Sequence, residues 1–103
     1  MPTFVARSNI SHYFREAHFK AMKREGNFSE DIAPHVAAHL EYHRALKAKG
    51  KVLCGGPMVD FTWGLTILKT DSLEEAKTLI ENDPGMKHGL FLDYEITPWY
   101  HMT

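Results

Sequence analysis

Three histidines set four residues apart, His35, His39 and His43, are the side chains of this sequence best placed by type and spacing to do chemistry. They lie in a segment, Ile32 to Leu46, whose apolar residues recur as on a helix. At about 100° per residue from Ile32, Val36 falls at about 40°, Leu40 at about 80° and Leu46 at about 320°, which makes an apolar stripe. On the same wheel His39 falls at about 340° and His43 at about 20°, inside that stripe, and His35 at about 300°, on its margin. Two imidazoles therefore point where the core should be. A buried imidazole left without partners costs about 1–3 kcal/mol. Three readings remain open. The rings can be satisfied core groups. A His-x-x-x-His pair can hold a metal, although no carboxylate or cysteine lies nearby in sequence to complete a shell. They can also move protons, since imidazole titrates near neutrality.

The elements that must position them follow from pattern and punctuation. Thr3 to Arg7 reads as a first strand, with Pro2 at its left edge. Ser11 can cap a helix to about Arg24 that carries Phe14, Ala17, His18, Ala21 and Met22 and stops at Gly26. Ser29 can cap the histidine helix, expected from Glu30 to about Lys49 and ended by Gly50. Val52 to Cys54 begins a second strand that Gly55-Gly56-Pro57 ends or bends, and Gly64 to Lys69 is a third. Ser72 with Glu75 makes a capping box for a helix through Leu79 and Ile80, which Asp83-Pro84-Gly85 closes. Leu90 to Ile96 is the last strand, with Leu90, Leu92, Tyr94 and Ile96 on one side and Phe91 opposite. The order is α+β: a ferredoxin-like βαββαβ domain with an extra N-terminal helix. One sheet face is left bare by the helices, and it is expected to pair with a second subunit.

The ordered set His39-Leu40, Leu46 to Gly50, Gly56-Pro57, Ser72 to Ala76, Asp83-Pro84, Gly89 and Ile96 to Trp99 resembles the YCII-related pattern over about residues 36–99. That family belongs to the dimeric α+β barrel group. The resemblance implies a homodimer joined through sheet faces and a catalytic centre of His39 with Asp83. By itself Asp83 reads as part of a helix-terminating turn. A carboxylate that accepts one imidazole N–H fixes the ring's tautomer, so such a pair could move a proton on a small molecule. The sequence departs from the pattern in three places: Val36 stands where an arginine is common, Leu65 where a serine is common, and Gly85 where an aromatic often follows Asp-Pro. An anionic substrate would then need another holder, for which His35 and His43 are available. The N-terminal third matches the pattern poorly.

Other candidates are weaker. Trp63, Tyr94, Tyr42 and Phe61 could line an aromatic ligand pocket, and His88 lies close in sequence to Asp83. Cys54 reads as an inert buried thiol, and His12, His18 and His101 show no usable pattern. The 103 residues fit one domain spanning 1–103. A net charge of -1 gives no basic footprint for nucleic acid. No apolar run suits a membrane span or a signal peptide, and the single cysteine fits a reducing, cytoplasmic setting. The expectation is a cofactor-independent enzyme of lyase, dehydrohalogenase or isomerase type acting on a cyclic or aromatic compound, with no metal. The alternative is a non-catalytic module that binds a small ligand.

Overall fold

The first strand, β1 (Thr3–Ile10), defines the two faces of the sheet in the computed structural model, which describes residues 2–103. Phe4, Ala6 and Ile10 are buried on one face. Val5 and Arg7 point to the other, because strand side chains alternate. The strand runs three residues past the expected Arg7 because Ser8 and Asn9 find partners on both sides and Ile10 finds one on the last strand.

Helix α1 (His12–Met22) follows at once, with the Ser11 hydroxyl accepting the Phe14 N–H at 3.1 Å. Its exit runs through Gly26 at φ 85°, a conformation glycine adopts without steric cost. Helix α2 (Ala33–Ala48) starts later than Glu30. The reason is Pro34, which in a helix begun at Glu30 would leave the Glu30 carbonyl without its donor. At the start of α2 its missing N–H costs nothing. Ser29 caps no helix and instead donates its hydroxyl to Asp31 at 2.6 Å.

Strands β2 (Val52–Pro57) and β3 (Trp63–Lys69) form a hairpin in which the Gly55-Gly56-Pro57 stretch remains paired. Cys54 is exposed on β2, an edge strand, and not buried as expected. Helix α3 (Leu73–Glu81) carries the expected cap, Ser72 Oγ accepting the Glu75 N–H at 3.1 Å. The Glu75 carboxylate reaches back one residue further than in a capping box, to the Asp71 N–H, and also meets Lys51. The Asp83-Pro84-Gly85 stretch does more than close α3: it opens a short helix, α4 (Pro84–Lys87). Strand β4 (Phe91–Trp99) completes an antiparallel sheet of order β2-β3-β1-β4. This is the ferredoxin-like arrangement with an added N-terminal helix.

The buried apolar residues form two clusters. One joins Ile10, Phe14, Ile32, Val36, Phe61 and Leu90, and the other Ala6, Leu46, Val52, Leu68 and Ile80. Helix α2 spans both, Val36 in the first and Leu46 in the second. Leu40, midway between them on the expected stripe, is 44% exposed. The last strand also differs from its expected pattern. Its pairing with β1 slips between Asn9 and Ile10, so that Ile10 faces Phe91 and Leu92 is the extra residue of a bulge. Phe91 therefore packs on the first cluster while Tyr94 and Ile96 pack on the second, all on the helix-covered side. The side without helices carries Val5, Arg7, Trp63 and Ile67, with Arg7 stacked 4.3 Å above the Trp63 ring. Among the described residues no helix is long and apolar enough to cross a membrane.

Candidate functional site

Helix α2 brings His39 and His43 to one face, a turn apart, in the gap between the two core clusters. Asp83 comes from the N-terminus of α4. Its backbone is extended, as an N-cap requires, and its side chain accepts the Gly85 N–H at 2.8 Å. The same carboxylate accepts from both imidazoles. His39 Nδ1 lies 2.8 and 2.9 Å from its two oxygens, and His43 Nε2 lies 2.8 Å from Oδ2. The side chains are 17%, 21% and 5% exposed for His39, His43 and Asp83. Burial pushes the Asp83 carboxyl up, but hydrogen bonds from His39 and His43, electrostatic attraction to the His39 ring and the Gly85 amide outweigh it and hold the group at about 2.

These bonds fix where protons sit. An ionised carboxylate only accepts, so His39 carries its proton on Nδ1 and His43 on Nε2. His39 Nε2 is then left without a protein partner among the described residues, as the atom able to exchange a proton. The ring is steadied by Phe91, whose centroid lies 5.0 Å away, and by His43 at 4.7 Å. Gly85 is fitted to the same spot. A Cβ there would stand 2.7 Å from the Phe91 ring and 3.1 Å from His39 Nδ1. The residue after Asp-Pro therefore has no room for the aromatic side chain common in the family pattern; Phe91 occupies that space from the neighbouring strand.

The cluster sits on the wall of a cavity of about 400 Å³ between α2, α1 and the β2–β3 hairpin. Phe14, Phe28, Phe61 and Phe91 supply aromatic surface, and Arg44 and Lys47 supply charge. Asp83, distant in sequence, stands beside the two histidines, so the carboxylate missing from the helix itself is provided by the fold. The three residues also form a group of possible metal ligands whose donor atoms lie within 4.8 Å of one another. Their N···O separations of 2.8 Å are those of direct hydrogen bonds. Ligands sharing a tetrahedral ion at about 2.1 Å would stand about 3.4 Å apart.

Of the other sequence candidates, Phe61 and Cys54 line the cavity, whereas His35, His88, Trp63, Tyr94 and Tyr42 do not. His35 stacks on His88, centroids 4.1 Å apart. Trp63 lies beneath Arg7 on the side of the sheet without helices. Tyr94 donates its hydroxyl to Glu81 at 2.6 Å, and that bond with burial and the Glu81 charge pushes its ionisation up to about 12. Tyr42 donates to the Leu79 carbonyl at 2.7 Å and ties α2 to α3. One histidine without a sequence pattern does line the cavity: His18, from α1. The signal was present, because His18 follows Phe14 by four residues on the inward side of its helix, as His43 follows His39.

A family model described as the YCII-related domain matches residues 10–100. The match takes in α1 and the loop after it, so the family pattern extends over most of the N-terminal third, contrary to expectation. The uncharacterized protein YjpA of Bacillus subtilis (strain 168) is 38% identical over 55 residues, 53% of this chain. The chain spans 65% of that relative's length. Among solved structures, the 5-chloro-2-hydroxyhydroquinone dehydrochlorinase of Burkholderia phenoliruptrix AC1100, in complex with 2,5-dihydroxybenzoquinone, superposes with a TM-score of 0.66 at 26% identity, over 96% of this chain and 94% of that one. A candidate antibiotic biosynthesis monooxygenase of Deinococcus radiodurans superposes at 0.50 with 15% identity over 100% and 94% of the two chains, a likeness of fold.

Proposed function

The chain belongs to the YCII-related family, and from that premise we propose that it is a small-molecule enzyme of lyase, dehydrohalogenase or isomerase type that transfers protons on a cyclic or aromatic substrate. The observation that carries this reading is a single carboxylate, Asp83, accepting from both His39 and His43 on the wall of a cavity. His39 Nε2 takes or returns the proton. Asp83 holds the imidazole in the tautomer that leaves this nitrogen free and balances the charge when the ring is protonated. His43 gives the carboxylate a second donor and keeps it ionised at neutral pH. No step requires a cofactor. The cavity's size falls in the range of small-ligand sites, and the similarity to a dehydrochlorinase over nearly the whole chain supports this substrate class. The face with Val5, Trp63 and Ile67 is proposed to pair with a second copy, as the fold group's name implies.

Turnover of chlorinated hydroxyhydroquinones by the wild type and by His39→Asn tests the reading. The expected result is a loss of about 10²–10⁴-fold with the fold intact. Undiminished turnover by the variant would remove His39 from the reaction. A wild type that binds such rings but never converts them would make the protein a binding module.

A further inference from the structure

His18 lines the same cavity from α1, and its surroundings are unusual. Its imidazole lies flat on the Phe61 ring, centroids 3.8 Å apart and planes within 2°. Phe61 has φ 59°, in the left-handed region that a bulky side chain enters only under strain. The loop holds it there. The Phe61 N–H donates to the Met58 carbonyl at 2.9 Å, and the Asp60 carboxylate accepts both the Thr62 N–H and its hydroxyl. Arg15 donates to the Asp60 carbonyl at 3.0 Å, which ties this loop to the helix that carries His18. Neither nitrogen of His18 has a hydrogen-bond partner among the described residues, although the ring is half-buried. Between the two histidines the floor is continuous. Phe61 meets Phe14 edge-on at 5.0 Å, Phe14 meets Phe91 edge-on at 6.0 Å, and Phe91 contacts His39 at 5.0 Å.

We propose that His18 is a second substrate-contacting residue, which receives the far polar edge of a planar, oxygenated ring laid on the Phe14–Phe61–Phe91 floor with its near edge at His39. The inference rests on the functional reading above and narrows its substrate class to hydroxyquinones, rings in which a hydroxyl is conjugated with a carbonyl oxygen further round the ring. When His39 Nε2 takes the proton of a ring hydroxyl, the electron pair of that O–H bond spreads through the ring to a conjugated carbonyl oxygen. His18 donates a hydrogen bond to that oxygen as its charge grows. The proton ends on His39, and no oxidant or reductant takes part.

The test titrates the full-length chain with 2,5-dihydroxybenzoquinone, followed by its visible absorbance, in the wild type and in His18→Phe and His39→Asn. His18→Phe keeps a ring on Phe61 and removes the nitrogens. It is expected to weaken quinone binding about tenfold while leaving the affinity for naphthalene, a flat ring without oxygens, unchanged. Quinone affinity equal to wild type in His18→Phe, with His39→Asn impaired, overturns this inference and leaves the functional reading standing. A wild type that does not bind the quinone overturns both. Should His18→Phe fail to fold, the His18 ring-nitrogen NMR signals of the wild type decide: they are expected to shift on adding the quinone, and unmoved signals overturn the proposal.

Discussion

Replacing Asp83 by Asn keeps the shape of the side chain and removes its charge, so it isolates what the carboxylate contributes. In the folded chain the group ionises at about 2, against 3.8 for an aspartate free in solution. That difference corresponds to roughly 2–3 kcal/mol of stability, at about 1.4 kcal/mol for each tenfold change in proton affinity. The side chain is 5% exposed, so solvent screening removes little of this. The sign follows from the direction of the shift. A carboxyl held low in the folded state is bound less tightly by protons there than in the unfolded chain. Its stabilising effect is therefore complete above about pH 4 and disappears as the pH falls through about 2. Urea denaturation of both proteins at about pH 6, 4, 3 and 2 is the assay. Asp83→Asn is expected to be less stable by about 2 kcal/mol at the upper end, and the gap should close towards the lower end. A gap of the same size at pH 6 and pH 2 would refute the electrostatic account. It would mean that the amide fails for reasons of geometry alone.

Two further outcomes follow from local contacts. Gly85→Ala forces a methyl group into the Phe91 ring and against His39 Nδ1; a cost of about 1–3 kcal/mol is expected, with a loss of turnover larger than the stability change explains, read from thermal melts beside kinetics. Ser72→Ala removes the acceptor for the Glu75 N–H; denaturant midpoints should show a loss of about 1 kcal/mol, with activity at saturating substrate unchanged because α3 carries no residue of the proton-transfer cluster.

How far the sequence disclosed this arrangement can be judged residue by residue. The helical wheel sufficed for His39 and His43, because a stripe must face the core wherever the helix packs. It failed for Leu40, since the stripe assumes a continuous core and here the core is divided by a cavity. The later start of α2 was legible in Pro34, whose missing N–H disfavours a helix begun at Glu30. Asp83 had no local signature beyond a turn: its partners are 40 and 44 residues away, and only the family resemblance linked them. The face of Phe91 could not be read from alternation, because a period of two has no means of announcing an extra residue in one strand. His18 was legible by the same wheel, but its helix lacks the four-residue histidine repeat that marks His39 and His43.

The bulge at Leu92 acts as a selector. Were the same residues paired without the bulge, Leu92 would stand beside Ile10 and Phe91 would turn to the other side of the sheet. The surface that carries the ring between its two histidines would then change without any substitution in α1 or α2. Relatives that share this fold could thus acquire new cavity shapes through single-residue insertions or deletions in an edge strand. Length variation in β4, more than residue identity around His39, is where divergence of ligand preference should first be sought.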